Sequence, residues 1–506
     1  MNLFLTTVRP LSIRRAGVLA LVAVAVVAAP RAAEARVAHL TVAVSGKGRA
    51  VPPAFLGLSV EYSELDRYMS TGADFVRLLD VLRPSGDDAR VDLRVGGESA
   101  DSTVWGSDSS QWIAPAYRQG HPYELTPAWM QRLGALVRAA RLNVMLDLNL
   151  AVHSPKMAAI VADTARQALP AGSIKEFGIG DEPDLYQDGL VGLTRAELGG
   201  PNQWAFSFTP SDYDRWFGNY VAAVRNVVHG ARFDGPEVES KSASWVRNLL
   251  DSRVAGDVSL VTVHSYPGYD ACPGQGEPRP TAPDYLKDSA AAGLARSESP
   301  ILVPAAQAGV PVRVTEVWTA VCGGIQGQSD TFATALWAPD ALFNMVADGI
   351  AGINIHVRGN GFPNTALMYG PQGIYPEPLF YGLATFVRTL GPGARLMTVS
   401  RSQGSGALKV WAVHRSDGTL RVLYINKSSQ SVSVRLRFRS KHPAWLQRLT
   451  APSIYANQTV TLAGQRLGLG GRWLGKKTTQ SVPNHHHAYK ILVPADSAAL
   501  LGVPRP

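Results

Sequence analysis

The sequence lacks the signatures of several large protein classes. It contains no internal repeat, no long low-complexity tract and no G-x-S-x-G turn of the kind that presents an esterase nucleophile. No run of Lys or Arg with interleaved aromatic residues is present, which disfavours nucleic-acid binding. No glycine-rich phosphate turn follows the first predicted strand, which disfavours a doubly wound nucleotide-binding sheet. Two cysteines in 506 residues permit at most one disulfide.

The composition is otherwise that of a globular protein, and the first 35 residues stand apart from it. Hydrophobic residues make up 46% of the chain and aromatic residues 8%, which allows a sizeable core. Residues 1–35 combine a basic start, an apolar run and "AEA" before Arg36, as a signal peptide does. We therefore expect a secreted or periplasmic protein with no stable membrane insertion after cleavage; an uncleaved anchor is the alternative. Removing four Arg and one Glu with this segment lowers the net charge from +9 to +6, which suits an anionic substrate but is also a common surface charge.

Eight apolar runs of strand length, each followed by a longer amphipathic stretch, predict a (β/α)8 TIM barrel over residues 55–392. The runs are 55–62, 91–97, 142–150, 174–180, 233–240, 258–266, 310–317 and 349–357. A doubly wound sheet is the second interpretation. After about residue 393 the apolar residues alternate at period two, which predicts a β-sandwich domain over 393–506, joined by a strand within 36–54.

Two glutamates lie at the ends of predicted barrel strands. Glu182, in "EFGIGDEPDLYQ", follows the fourth strand, and Glu316, in "VTEVW", ends the seventh. The carboxyl ends of barrel strands converge on one face, so these carboxylates would face each other across the barrel mouth. Such a pair is what cleavage of a glycosidic bond requires. A solvated turn carboxylate is the alternative for either residue alone.

Three segments carry a resemblance to a known family. These are "GIGDEPDLY" (178–186), "LRVGGESADSTVW" (93–105) and "VTEVWTAVCGGIQGQSDTFATALW" (314–337). They resemble the motifs of glycoside hydrolase family 79, a clan A family of β-glucuronidases and heparanases, and they follow one another along the chain in the order that this family has. The resemblance extends from about residue 40 to the C-terminus, and it implies cleavage of terminal β-D-glucuronic acid from glycans or glycoconjugates.

The resemblance also implies roles for individual residues. Glu182 would be the general acid/base and Glu316 the nucleophile of a retaining mechanism with a covalent glycosyl-enzyme intermediate. Tyr266 would hydrogen-bond the nucleophile, although a half-buried barrel aromatic is an equal alternative. Glu61 and Glu98, at the ends of the first two strands, would bind sugar hydroxyls, or lie on a solvated rim. No cofactor or metal is implied.

The uronate carboxylate would be bound by backbone amides of glycines, which are Gly323, Gly324, Gly359 and Gly361. Glycine turns between strand and helix are the alternative for these positions. The carboxylate-binding tyrosine expected after the eighth strand is missing, because Gly361 or Phe362 stands there. Arg358 and Tyr369 are candidates to compensate.

Asp181 also departs from the family pattern, which has an asparagine that contacts the sugar 2-hydroxyl. We expect Asp181 to be either protonated or paired, because an ionised aspartate beside Glu182 would raise the pKa of the acid/base.

Loops on the predicted catalytic face supply two further expectations. Cys272 and Cys322 follow the sixth and seventh strands, and in an exported chain a disulfide between them is favoured over free thiols. The long segments 186–208 and 266–285 would wall one end of the site and favour an exo-acting pocket. The "HHH" at 485–487 has no further ligand nearby in sequence and reads as a surface loop rather than a metal site.

Two alternative functions stay open. One is a retaining β-glycosidase for neutral sugars such as xylosides or glucosides. The other is a carbohydrate-binding barrel that has lost turnover, which Asp181 and the missing tyrosine suggest; retention of both Glu182 and Glu316 speaks against it.

Overall fold

A computed structural model describes residues 38–86, 89–106, 123–188, 208–267, 279–359, 361–402 and 406–505. The strands in these ranges are β1 Ala38–Ala50, β2 Leu56–Val60, β3 Val91–Val95, β4 Thr103–Trp105, β5 Tyr123–Leu125, β6 Leu142–Leu148, β7 Ile174–Ile179, β8 Phe233–Glu239, β9 Val258–Ser265, β10 Val312–Val317, β11 Gly352–Val357, β12 Leu367–Gly370, β13 Gly373–Pro376, β14 Arg395–Arg401, β15 Leu408–His414, β16 Leu420–Asn426, β17 Val432–Arg437, β18 Ala444–Thr450, β19 Thr461–Leu462, β20 Arg466–Leu467, β21 Trp473–Leu474, β22 Gln480–Val482, β23 Ala488–Val493 and β24 Ser497–Val503. The helices are α1 Tyr62–Ser70, α2 Ala73–Val81, α3 Pro127–Ala140, α4 Pro155–Ala168, α5 Pro210–Arg225, α6 Ala243–Asp251, α7 Leu294–Ser297, α8 Ser299–Ala308, α9 Phe332–Asp348 and α10 Pro378–Thr389. Within these ranges, every helix is too short or too polar to cross a membrane.

Eight parallel strands close into a barrel in the order β10-β11-β2-β3-β6-β7-β8-β9. Each lies within one of the eight apolar runs, so the predicted (β/α)8 barrel is confirmed. Most of these strands are buried along their whole length, as expected when helices cover the outside and side chains fill the inside.

The outer helices follow the local sequence signals. Helix α3 begins with Pro127 directly after Thr126, whose hydroxyl accepts a hydrogen bond from the amide of Trp129. Proline suits the first helical position because its missing N–H has no intrahelical partner there, and the threonine caps a free amide. Trp129 then turns inward and is 1% exposed, which anchors the helix on the barrel.

The C-terminal strands form one ten-stranded sheet in the order β19-β18-β24-β16-β15-β14-β1-β17-β23, with β22 beside β18. The sheet curls around a separate apolar core to which its strands contribute alternate residues. Strand β1 completes it, antiparallel to β14 and parallel to β17. The predicted accessory β domain is thus a single curled sheet.

Helix α9 joins the barrel to this sheet and is apolar on nearly all sides. Its first two amides donate to carbonyls of the C-terminal domain, Phe332 to Ala456 and Ala333 to Ile454. Its buried Asp340 accepts from Lys427 at 2.6 Å and from the indole of Trp411 at 2.9 Å. A helix buried on both sides needs such partners for its polar groups, and here they attach the two domains.

Candidate active site

Polar side chains interrupt six of the apolar barrel strands and gather inside its C-terminal end. They are Arg94 on β3, Asp147 on β6, Glu237 on β8, His264 on β9, Glu316 on β10 and His356 on β11. All six are at most 7% exposed. Burying this many ionisable groups is costly unless they pair, so their contacts decide what the site can do.

Arg94 lies at the centre of these groups. Its guanidinium contacts Asp147 at 2.8 Å, Asp181 at 2.6 Å, Glu237 at 3.0 Å and Glu316 at 3.2 Å. Burial alone would lower the pKa of Arg94, but the four carboxylates raise it well above its ordinary value. We call Arg94, these four carboxylates and His264 the Arg94 cluster.

Glu316, the predicted nucleophile, has partners on both carboxylate oxygens. Oε1 accepts a hydrogen bond from the Tyr266 hydroxyl at 2.9 Å, and the role of Tyr266 in orienting a nucleophile stays a prediction. Oε2 lies 3.0 Å from Nδ1 of His356 and 3.2 Å from Arg94. Burial would raise the pKa of Glu316, but the charges of His356, His264 and Arg94 hold it well below its usual range. Glu316 is therefore ionised and fixed in orientation, as a nucleophilic carboxylate must be.

His356 lies between Glu316 and Glu61, the residue predicted to bind sugar hydroxyls. Its Nε2 lies 3.4 Å from Oε1 of Glu61, and its pKa rises to about 9 because the two carboxylates outweigh burial. Glu61 is 3% exposed, and its Oε2 accepts from the amide of Ser99 at 2.7 Å. Both oxygens of Glu61 thus have partners within the protein. The indole of Trp318 donates to the carbonyl of His356 at 2.6 Å and packs edge-on against its ring.

Glu182, the predicted acid/base, follows β7 in a strained turn. Its φ of 44° lies in the left-handed region, and its amide donates to the carbonyl of Glu237 at 2.8 Å. Oε1 lies 2.8 Å from Nδ1 of His264, whose Nε2 lies 2.8 Å from Glu237. The side chain is 23% exposed, more than that of Glu316. One oxygen is therefore fixed by His264 while the carboxyl group stays open to solvent.

Asp181 points into the Arg94 cluster rather than to solvent. It lies 2.6 Å from Arg94 and 3.8 Å from His264, and its amide donates to Asp101 at 3.1 Å. Burial raises the pKa of Asp181 well above its ordinary value, against the opposing charges of Arg94 and His264. The structure therefore both pairs this aspartate and favours its protonated form.

Glu98 and Arg358 form the open rim of the site. The Glu98 side chain is 44% exposed and lies 3.7 Å from the guanidinium of Arg358. Partial burial and the charge of Glu61 raise the pKa of Glu98 to about 7. Arg358 also lies over the ring of Phe362, 4.9 Å from its centre.

The four predicted glycines lie in two loops, after β10 and after β11. The amide of Gly324 donates to Val321 and that of Gly361 donates to Gly359, each at 3.1 Å, so these two donors are already engaged. The amides of Gly323 and Gly359 have no acceptor within the described ranges. Gly323 has φ of 80° and lies against the Phe362 ring, so any side chain there would be strained and would clash. Of the four predicted amide donors, those of Gly323 and Gly359 are therefore the ones left available to a ligand among the described residues.

Some predicted features fall on residues that the structure does not describe. Cys272 is one of them, so its disulfide with Cys322 stays a prediction. Most of the two long loops, at 189–207 and 268–278, also lies outside the described ranges.

Asp181, Glu237 and His264 offer ligand atoms within 4.8 Å of one another, a grouping that resembles a cation site. The guanidinium of Arg94 already contacts both carboxylates, at 2.6 Å and 3.0 Å. It supplies the positive charge that the carboxylates require, so this grouping is explained without a metal.

The sequence interpretation missed Arg94, Glu237, His264 and His356. Each is a charged or imidazole side chain within an otherwise apolar run, a pattern that a strand buried on both faces does not show without a purpose. That interruption is the signal that would have identified them. The presence of glycine at position 96, directly after β3, has a related explanation. A side chain there would displace the carboxylate of Asp147.

Comparison with known proteins places this geometry in context. No protein-family model matches the chain. A β-glucuronidase from Aspergillus niger is 23% identical over 354 residues, which span 65% of this chain and 61% of that protein's length. The structure of a 4-O-α-L-rhamnosyl-β-D-glucuronidase from Fusarium oxysporum has a TM-score of 0.69 at 17% identity, and covers 92% of this chain and 99% of its own.

Two further solved structures share the fold, and their names describe enzymes other than glucuronidases. A family 51 arabinofuranosidase from Xanthomonas axonopodis pv. citri has a TM-score of 0.64 at 14% identity, covering 92% of this chain and 99% of its own. A family 44 xyloglucanase from Paenibacillus polymyxa has a TM-score of 0.59 at 12% identity, covering 92% and 100%. By fold, the chain therefore resembles glycoside hydrolases with a (β/α)8 barrel.

Proposed function

We propose that the protein is a retaining glycoside hydrolase in which Glu316 is the nucleophile and Glu182 the general acid/base. The observation that carries this proposal is the contrast between the two carboxylates. Glu316 is ionised and held by Tyr266, His356 and Arg94, whereas Glu182 is more exposed and held through one oxygen by His264. One group is arranged to attack and the other to exchange a proton with a bound substrate.

The reaction proceeds in two displacements. The Glu316 carboxylate attacks the anomeric carbon as the glycosidic C–O bond breaks, and Glu182 donates its proton to the departing oxygen. Water then gives a proton to the Glu182 carboxylate and attacks the anomeric carbon, which breaks the bond to Glu316 and releases the sugar. His264 fixes one oxygen of Glu182 and leaves the other free for these transfers.

For the substrate we propose a glycan or glycoconjugate with terminal β-D-glucuronic acid, and membership of glycoside hydrolase family 79. The sequence motifs and the names of two relatives support this choice. The rim of the site supports it physically, because the half-exposed cation of Arg358 and the open amide of Gly323 flank Phe362. Both groups bind carboxylates well. A secreted or periplasmic location, following signal peptide removal, belongs to the same proposal.

A β-glycosidase for neutral sugars is the second candidate. Phe362 stands where a carboxylate-binding tyrosine is expected and has no hydroxyl to donate. Two of the four glycine amides are also engaged in turns. If Arg358 pairs only with Glu98 and does not contact the substrate, the site has no strong preference for a uronate.

The first experiment is hydrolysis of aryl β-D-glucuronide, β-D-glucoside and β-D-xyloside by the wild type and by Glu316→Ala. Glucuronide turnover that disappears in the variant supports the reaction, the nucleophile and the substrate class together. Turnover of a neutral sugar alone retains the mechanism and refutes the uronide. No turnover by a folded protein favours a carbohydrate-binding role.

The stereochemistry of the first product tests the retaining mechanism separately. Proton NMR during early hydrolysis should show the β-anomer before mutarotation, because two inversions restore the configuration. The α-anomer as first product would refute Glu316 as a nucleophile.

A further inference from the structure

A cavity separate from the candidate active site lies where the barrel loops meet the C-terminal domain. It has a volume of about 590 Å³ and is bounded on one side by the β12–β13 hairpin and the start of α10. Residues 457–460 and 466–469 of the C-terminal domain bound the other side. We call it the junction cavity. Ligand sites commonly have volumes of about 300–1,000 Å³ and often lie between domains.

Three exposed apolar side chains lie in or beside this cavity. Among the described residues, seven large apolar side chains are exposed, and two of them, Tyr375 at 41% and Leu469 at 43%, line it. A third, Leu474, is 40% exposed and packs against Gly468 in the cavity wall. Solvent-exposed apolar side chains of this size are unremarkable singly, but a cluster with a polar surround marks a binding surface.

Polar groups converge on the same space from both domains. Glu377 and Asp330 line the cavity beside Tyr375, together with Asn457 and Arg466. Burial and Asp330 raise the pKa of Glu377 to about 7, and Glu377 in turn acts on the pKa of Tyr375, so these groups are near neighbours. A carboxyl with a pKa of about 7 is partly protonated at neutral pH, and its protonated form both donates and accepts hydrogen bonds, as sugar hydroxyls require.

The cavity opens at the same end of the barrel as the candidate active site. Gly361 and Pro363, from the loop after β11, line it, as do Gln326 and Asp330 from the loop after β10. The loop after β10 also carries Gly323. The loops after β10 and β11 therefore border both the candidate active site and this cavity.

We propose that the junction cavity is a second carbohydrate subsite, which binds a sugar residue of a larger glycan away from the bond that is cleaved. Tyr375 and Leu469 offer an apolar surface to the C–H face of the sugar, while Glu377, Asp330 and Asn457 bind its hydroxyls. This inference rests on the proposed function only in taking a glycan as the ligand.

Binding is measured in the Glu316→Gln background by isothermal titration calorimetry. The probes are saturated hyaluronan oligosaccharides, a disaccharide and an octasaccharide, which carry β-linked glucuronic acid. Tyr375→Ala and Leu469→Ala remove the apolar surface, and Tyr375→Phe retains it. Leu492→Ala is the matched control, because Leu492 is 47% exposed on β23 and does not line the cavity.

The octasaccharide should bind more tightly than the disaccharide. Tyr375→Ala should weaken octasaccharide binding by about tenfold, the effect of losing one good stacking contact. Leu469→Ala should weaken it less, and Tyr375→Phe and Leu492→Ala should leave it unchanged. Disaccharide binding should be the same in all variants. Equal octasaccharide affinity in Tyr375→Ala and its parent, or no preference for the longer probe, overturns the inference.

Hydrolysis of the aryl glucuronide separates this inference from the proposed function. Tyr375→Ala in the otherwise wild-type chain should hydrolyse that small substrate at the wild-type rate, since the substrate does not reach the cavity. Loss of aryl glucuronide hydrolysis by Tyr375→Ala would refute a remote subsite. If the wild type hydrolyses no glycoside while the octasaccharide preference still depends on Tyr375, the proposed function fails and the binding site stands.

Discussion

Replacement of His356 by glutamine tests the electrostatic account of the nucleophile most directly. Glutamine keeps a side-chain amide near Glu316 and Glu61 but cannot carry the positive charge. The charge of His356 is the largest influence that opposes burial and lowers the pKa of Glu316. An opposite charge at this distance is worth about one to three pH units. Arg94 stays in contact at 3.2 Å, so a rise of about one unit is expected for Glu316.

The activity readout is the pH profile of kcat/KM with an aryl β-glycoside that the wild type hydrolyses. Because Glu316 must be ionised to attack, its pKa sets an acidic limb, and His356→Gln should move that limb about one pH unit higher. Tyr62→Phe is a suitable control, since Tyr62 is buried nearby and bonds to the carbonyl of Asp147 rather than to Glu316. An acidic limb at the wild-type position in His356→Gln would refute the assignment of His356 as the counter-ion.

The stability readout follows from the pKa of His356 itself. The rise from 6.5 to about 9 corresponds to about 3 kcal/mol of stabilisation, at about 1.4 kcal/mol per pH unit. A raised pKa stabilises fully below pH 6.5, and this contribution is lost as the pH rises through about 9. The difference in free energy of unfolding between wild type and His356→Gln should therefore be about 3 kcal/mol larger at pH 6 than at pH 10, in denaturant titrations. A difference independent of pH would show that the pKa of His356 is not raised in the folded state.

Three further predictions concern the same site. Tyr266→Phe removes the hydrogen bond to Glu316 and should lower kcat/KM by about 10- to 100-fold, as expected for a bond to a charged group; an unchanged value would make Tyr266 a packing residue. Asp181→Asn keeps the contact with Arg94 but cannot lose a proton, so kcat/KM at alkaline pH should rise about fivefold relative to wild type, the value of one hydrogen bond; an unchanged rate and pH profile would contradict the expected role of Asp181. Arg358→Gln should lower kcat/KM for the aryl glucuronide by about 10- to 100-fold and leave that for the glucoside within about twofold; equal losses on both substrates, or a similar loss in the surface control Arg132→Gln, would show that Arg358 does not bind the uronate.

The fold could be predicted because the signal for each barrel strand is local. A run such as 142–150 is apolar at nearly every position, and it becomes β6, Leu142–Leu148, because helices and the barrel interior cover both of its faces. The predicted runs extend beyond the strands by a few residues where the polar loop begins. The single curled sheet was harder to predict, because the order of its strands depends on pairings across the whole chain, such as β1 with β17.

The candidate site was predictable only in part. Glu182, Glu316 and Tyr266 could be found because each lies at a strand end within a motif. The roles of His264 and His356 could not, because each depends on two carboxylates that are distant in sequence and that the fold brings within 3.4 Å. Ionisation states were out of reach for the same reason, since a pKa in a buried cluster depends on every charge around it.

Charge balance in and around the Arg94 cluster explains how an aspartate can occupy position 181. The cations are Arg94, His264 and His356, whose pKa values all lie above their ordinary range. The anions are Glu61, Glu237 and Glu316, whose pKa values all lie below it, that of Glu237 at about 2.

Burial raises the pKa of Asp147 to about 7 and that of Asp181 well above its ordinary value, against the opposing charges of Arg94 and His264. Neighbouring carboxylates add to both rises, so these two groups retain protons more readily than Glu237 and Glu316. A protonated carboxyl has one O–H donor and one carbonyl acceptor, as an amide has a donor and an acceptor. Asp181 can therefore do for a sugar hydroxyl what an asparagine does, provided that the pH stays below its raised pKa. Under the proposed function, we therefore expect the departure at position 181 to limit activity at high pH and to leave the two-carboxylate mechanism intact.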